Sequence, residues 1–217
     1  MKLVIIIGAG PGISNGVAQK FGSQGYEIGL IARNEEKLQQ QVAQLAQQGI
    51  QARYAAGNVA NADSLKNALL TISPRFEQAD LILFNASAVS VKDLLEQDWQ
   101  TIKQTFDVSV GGAFHLLQLV LPALLQQNRG ELSFTGGGFA FSGDPQWTSL
   151  SIGKAGMRNL VQAAQKKVAN TNIHIAQLTV CGYVQPTDLK YNPAAIANEY
   201  WKLFNQQPGQ FEEEIVY

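Results

Sequence analysis

The chain has 217 residues, 46% of them apolar, with a formal net charge of −1 and one cysteine; at roughly 100–200 residues per domain this is enough for a packed core without staples. Near-neutrality excludes the basic face of a nucleic-acid binder, and a lone Cys181 excludes an internal disulfide or a multi-cysteine zinc site. No uninterrupted apolar run reaches the roughly 18 residues of a membrane span, and the apolar start runs into glycines without a leader-type cleavage site, so the expectation is a cytoplasmic protein with no membrane partner.

Leu3–Ile7 is a run of branched apolar residues, the mark of a strand buried on both faces. Glycines at 8, 10 and 12 follow, then a helix from about Ile13 to Gln24, stopped at Gly25. A strand over Glu27–Ala32 leads to a helix over Glu35–Gln48 with a buried stripe of Leu38, Val42 and Leu45. Ala52–Ala55 reads as a third strand, and Asp63 opens a helix that turns Leu65, Leu69 and Ile72 inward. Leu81–Phe84 is the fourth strand; one long helix then spans about Asp98–Gln127, with Pro122 bending its end. Leu132–Thr135, a helix over Ser151–Asn170, a strand over His174–Val180, a helix near Pro193–Asn205 and a strand near Glu214–Tyr217 complete the chain. Strands alternating with helices predict right-handed βαβ units: a doubly wound parallel α/β sheet of about seven strands with helices on both faces. Nothing marks a linker, a repeat or a second domain, so residues 1–217 read as one Rossmann-type domain.

The segment Gly8-x-x-x-Gly12-x-Ser14 joins the first strand to the first helix. Glycine there permits positive φ and close backbone approach, and the helix N-terminus offers free N–H groups and partial positive charge, which together suit a pyrophosphate. A tight turn with no ligand is the simpler alternative. The strand–turn–helix setting favours the ligand, because doubly wound sheets bind dinucleotides at this place.

In this motif and its setting the chain resembles the short-chain dehydrogenase/reductase family over nearly its whole length. The family turn is Gly-x-x-x-Gly-x-Gly; here Ser14 replaces the third glycine, either holding the helix slightly away from the phosphates or supplying a hydroxyl to one. The resemblance implies that Gly8, Gly10, Gly12, Ile13 and Ser14 cradle the phosphates. At the end of the second strand, Ile31-Ala32-Arg33-Asn34 has no acidic residue to accept a ribose 2′-hydroxyl. The Arg33 guanidinium suits a 2′-phosphate instead, the pattern of NADP-preferring relatives; a solvated arginine at a strand end is the alternative. Asn58-Val59 resembles the family's adenine contact, and Asn85-Ala86-Ser87 its Asn-Ala-Gly beneath the cofactor. Cys181-Gly182-Tyr183-Val184 resembles the Pro-Gly-x-Val whose backbone, here at Val184, meets the nicotinamide amide, and Thr187 lies one residue from a cofactor-touching threonine. Cys181 reads as a buried, inert thiol. The implied cofactor is NADP(H).

Family members of this type move a hydride between a nicotinamide and a carbonyl/alcohol pair, using a Tyr as acid, a Lys four residues later, a Ser that orients the substrate oxygen and an Asn that anchors a water relay. Lys154 fits the lysine position. The tyrosine position then falls on Leu150, the serine position on Gly137 and the asparagine position on Ser109, and no tyrosine occurs between Tyr54 and Tyr183. Lys154, in the first turn of its helix, and Ser109 are the retained candidates for the reacting end, with Ser142, Ser149 and Asp107 as further candidates for compensation. His115 and His174 read as structural, and no metal site is expected. Losing a positioned acid costs on the order of 10²–10⁴ in rate. Two readings therefore stand: an NADP(H)-dependent oxidoreductase with another proton source, or an NADP(H)-binding redox sensor or partner subunit without turnover. The short stretch from Asp188 to Pro193 leaves no room for a substrate lid. Phe114, Leu117, Leu121, Met157, Leu160 and Val161 suggest a homodimer or homotetramer, as relatives form through the equivalent helices; the substrate is not readable.

Overall fold

The computed structural model describes residues 2–217. Seven parallel strands form one sheet in the order β3-β2-β1-β4-β5-β6-β7: β1 (Leu3–Ile7), β2 (Glu27–Ala32), β3 (Ala52–Ala56), β4 (Leu81–Phe84), β5 (Gly130–Gly137), β6 (Ile173–Val180) and β7 (Glu214–Val216). Every residue of β1, β4 and β6 is buried, as the unbroken apolar runs of the first two demand. The order reverses between β1 and β4, so the crevice at their C-terminal ends is the switch point where open α/β sheets take ligands.

Helices α1 (Ile13–Gly22), α2 (Glu35–Gln47) and α7 (Pro193–Phe204) lie on one face. Their side chains Val17, Phe21, Leu38, Leu45 and Ile196 pack on Ile6, Leu30 and Leu178. Helices α3 (Ala62–Ile72), α5 (Gly112–Gln127) and α6 (Thr148–Val168) cover the other, where Leu69, Leu116, Val120, Met157 and Val161 meet Ile5, Ile82 and Phe134. Asn34, Asn61 and Asn192 cap α2, α3 and α7 through their side-chain oxygens, which fixes where three of the helices begin.

Four expectations need correction. The long helix is not uniform: α4 (Trp99–Phe106) passes into a π turn over Asp107–Gly111 before α5 starts, so the departure from α geometry falls there, and the helix continues through Pro122 to Gln127. Helix α6 starts at Thr148, three residues earlier than expected, which puts Lys154 in its second turn. The inward stripe of α2 is wider than expected: Val42 packs half-buried on the core, and Gln41 beside it is buried too. Cys181 is exposed at the end of β6.

The run Trp99–Gln127 is long and apolar enough, by length and composition, to cross a membrane. Its buried residues Ala113, Leu116, Val120 and Leu124 pack on the sheet, which gives its apolarity a place within the fold.

Candidate functional site

Gly8 is the corner of the site. Its φ of +88° suits glycine, and a Cβ there would stand 2.4 Å from the Ala86 amide nitrogen. Four bonds tie the strand ends around it: Gly8 and Ala9 donate to the Ile31 carbonyl at 2.8 and 3.0 Å, Gly57 donates to the Ala32 carbonyl at 2.9 Å, and Asn85 donates to the Ile7 carbonyl at 2.8 Å. The Asn85 amide also donates to the Gly8 carbonyl at 3.2 Å and to Ser14 Oγ at 2.7 Å, while Ser14 Oγ donates to the Gly8 carbonyl at 2.8 Å. Ser14 is thus turned inward and 1% exposed; it closes the glycine turn onto β4 and has no hydroxyl to spare for a phosphate.

A cleft of about 370 Å³ opens at this corner, inside the range of small-ligand pockets. Its walls include seven of the expected cofactor residues, Gly8, Arg33, Asn58, Val59, Asn85, Ala86 and Ser87, with Ile31, Gly57 and Val108 among the rest. Arg33 is exposed at the rim and makes no hydrogen bond or ion pair among the described residues. The Asn58 side-chain oxygen accepts from the Ala60 amide at 3.1 Å, which holds the β3 loop in shape. Behind it His115 Nδ1 lies 2.9 Å from the Val59 carbonyl; a carbonyl only accepts, so this nitrogen carries the proton. Sequence reasoning gave His115 no such role.

At the foot of α1 the N-cap is Gly12, and no side chain caps the helix. The first-turn N–H groups of such a helix are open to an anion. Cβ atoms built on Gly10 and Gly12 would meet nothing within 4 Å, so packing inside the chain gives neither position a reason to be glycine. A dinucleotide backbone lying over the turn would, and in this respect the residues fit the cofactor. Gln41 was not foreseen: its amide donates to the Gly10 carbonyl and to Asn15 Oδ1, each at 3.3 Å, and so stitches the glycine turn to α2. A buried glutamine on an otherwise apolar stripe is the signal that could have found it.

The other end of the crevice is formed by β5, β6 and α6. Lys154 is 9% exposed, and its ammonium donates to the Thr135 carbonyl at 2.7 Å. Burial pushes its pKa down from 10.5 to about 8. On the opposite face of β5, Thr135 Oγ1 is bonded at 2.7 Å to the hydroxyl of Tyr200, whose pKa burial raises. Gly137 lies along the Lys154 stem, where a Cβ would make an ordinary contact of 3.5 Å with Cε. Ser109, on the π turn, is 2% exposed and pressed against Gly153, to whose built Cβ its Oγ would stand at 3.2 Å. Its hydroxyl is sealed against α6 and does not reach the open crevice.

The remaining candidates are placed elsewhere. Asp107 is ion-paired with Lys103 at 2.7 Å on the helix surface, and Ser149 donates to the Ser90 carbonyl at 3.3 Å. Leu150 is half-buried, Ser142 exposed; Val184 and the exposed Thr187 lie in the loop after β6. His174 is buried with Nδ1 3.0 Å from the Glu131 carboxylate, far along β6 from the crevice. Among the described residues no group of His, Cys, Asp and Glu could hold a metal ion.

The model of the family described as short chain dehydrogenase matches residues 2–195. The chain belongs to the short-chain dehydrogenase family. An uncharacterized oxidoreductase of Staphylococcus epidermidis is 26% identical over 82% of this chain and 76% of its own length. Among solved structures, a short-chain dehydrogenase from Rhodopseudomonas palustris superposes with a TM-score of 0.86 at 24% identity, covering 99% of this chain and 96% of that one. A metagenomic short-chain oxidoreductase in complex with NADP superposes with a TM-score of 0.88 at 19% identity, covering 100% and 96%. These likenesses establish the Rossmann-type fold and the oxidoreductase family. In this chain the polar contacts around Gly8 secure the turn, and at the other end of the crevice the Lys154 ammonium rests on the Thr135 carbonyl.

Proposed function

We propose that this chain is an NADP(H)-binding oxidoreductase whose chemistry proceeds without a phenolic acid. The observation that carries the cofactor assignment is Arg33, an exposed guanidinium on the wall of the switch-point cleft with no acidic residue beside it in the turn after β2. Gly8, Gly12 and Ile13 would cradle the pyrophosphate, Asn58 and Val59 would flank the adenine, and Arg33 would take the 2′-phosphate. Lys154 would hold the nicotinamide ribose, with Val184 and Thr187 beside the ring. The bound group supplies a hydride. The chain's own residues supply position: Asn85 and Ser14 fix the turn, and Thr135 fixes Lys154.

Titration calorimetry tests this directly. Wild type binds NADPH more tightly than NADH, and Arg33→Ala weakens NADPH by about 10- to 100-fold, the worth of a charge-assisted bond, with NADH little changed. Equal losses for the two nucleotides would remove the 2′-phosphate role. Binding without turnover, as a redox sensor or partner subunit, is a second reading. It is favoured by the Lys154 ammonium resting on a main-chain carbonyl with Leu150 and Gly137 in the acid and donor positions.

A further inference from the structure

We propose that Tyr217 is a positioning residue: it clasps the loop joining β6 to α7, residues 181–192, and so fixes the wall beside the nicotinamide end of the cofactor site. The role rests on the cofactor reading above, which sets Val184 and Thr187 of that loop beside the ring.

The loop runs from one end of the crevice to the other. At its start, a Cβ built on Gly138, just past β5, would stand 3.3 Å from Cys181 Cα and 3.4 Å from its Sγ, so the loop leaves β6 against the β5 end of the crevice. At its finish Asn192 caps α7, and the Pro193 carbonyl abuts Gly16 of α1, the helix whose foot carries the glycine turn. A shift of the loop therefore changes one wall of the site.

Little of this loop is packed. Val184 and Tyr191 rest half-buried on the apolar layer of α1 and α7, whereas Tyr183 and Leu189 are 75% and 97% exposed and Gln185, Pro186 and Thr187 are exposed with them. A segment with so few buried contacts opens at small cost unless something outside it holds it. Its own bonds shape mainly the far end. The Asp188 carboxylate accepts from the Lys190 and Tyr191 amides at 2.8 and 2.6 Å, and the Asn192 side chain donates to the Asp188 carbonyl at 2.8 Å.

Tyr217 supplies the outside hold. It prolongs β7 along β6: its amide donates to the Thr179 carbonyl at 2.8 Å, and its carbonyl accepts from the Cys181 amide at 2.7 Å. From this fixed main chain the hydroxyl donates to the Lys190 carbonyl at 2.9 Å. The ring meets Tyr191 edge-on, with centroids 5.7 Å apart, and Tyr191 in turn lies so close over Gly182 that a Cβ there would overlap its ring. Lys190 Nζ stands 5.0 and 5.1 Å from the Tyr191 and Tyr217 centroids, within reach of a cation–π attraction. One side chain thus ties the sheet to both ends of the loop, at Gly182 through Tyr191 and at Lys190 directly.

Two readings of the full chain test the role: the rate of trypsin cleavage after Lys190 in the native protein, and calorimetry with NADPH beside 2′-phospho-ADP-ribose, which lacks the nicotinamide ring. Tyr217→Phe keeps the ring and loses the hydroxyl bond, and cleavage after Lys190 becomes about three- to tenfold faster. Tyr217→Leu keeps an apolar side chain on the α7 layer and loses the whole clasp. Cleavage is then faster still, and NADPH affinity falls about tenfold while 2′-phospho-ADP-ribose affinity is unchanged. Unchanged cleavage in both variants overturns the proposal. So does faster cleavage with NADPH affinity intact, and so do equal losses for the two nucleotides, which a merely structural residue would give. A wild type that binds neither nucleotide overturns instead the cofactor reading beneath it.

Discussion

Lys154 is an ammonium held out of water by one carbonyl and no carboxylate. Its pKa, brought from 10.5 to about 8 by burial, means that between those values the unfolded chain holds a proton the native chain has released. Stability therefore rises with pH from about 8 toward 10, by up to about 1.4 kcal/mol per pH unit. In Lys154→Met that rise disappears; urea denaturation at the two ends of the window measures it, and an unchanged slope would show that another group is responsible. At this scale the sequence was a good guide to backbone roles and a poor one to side-chain direction. Gly8, Arg33 and Asn85 stand where the motif places them, because a strand–turn–helix leaves few alternatives for a glycine corner. Cys181 is exposed against expectation, and the inward turns of Ser14 and Gln41 left no trace in the local sequence, since whether a polar side chain turns in or out is set by partners distant in sequence, here Asn85 for Ser14 and the Gly10 carbonyl for Gln41.

Elements were legible where one physical signal governs them. The branched apolar run of β1 allows little but a buried strand, whereas the start of α3, read at Asp63, is set by the Asn61 side chain accepting from the Ser64 amide. Helix α6 was placed late because Trp147 precedes it without a capping side chain, and the π turn at Asp107–Gly111 was missed because one widened turn barely disturbs the helical period. Packing between elements left weaker traces in the sequence. Helices α1 and α7 meet at Gly16, where a Cβ would stand 2.3 Å from the Pro193 carbonyl oxygen, a main-chain atom that cannot rotate away. Gly16→Ala should destabilise the fold by about 1–3 kcal/mol in urea denaturation. Gly143→Ala, with nothing within 4 Å of the new Cβ, is the matched control and should leave the midpoint in place. Equal midpoints for the two variants would mean that the α1–α7 contact gives way without cost.

For the whole molecule, two apolar layers fill both faces of the sheet and leave the functional surface to its C-terminal edge. Of the side chains expected to join copies of the chain, Leu117, Met157 and Val161 are buried against the sheet, Leu121 and Leu160 are half-buried, and Phe114 is exposed at 47%. Most of that apolar set thus serves the core, and exposed apolar side chains lie both on the loops after β4 to β6 and on α4, α5 and α6, where Trp99, Phe106, Phe114 and Ile152 face solvent. Along the sheet, the ends of β1 to β4 surround the cleft that Arg33, Asn58 and Asn85 line, whereas on the other side Lys154 of α6 rests on the Thr135 carbonyl of β5. The central claim is that Gly10 and Gly12, which no packing inside the chain requires to be glycine, leave the turn open for a dinucleotide. Gly12→Ala tests it most directly, with NADPH affinity measured by calorimetry beside a urea denaturation of the same preparation. The account predicts at least about a tenfold loss of NADPH affinity, from a methyl group placed against the pyrophosphate, with the denaturation midpoint held near that of the wild type. Undiminished NADPH affinity in the variant, or a wild type that does not bind NADPH, would contradict it.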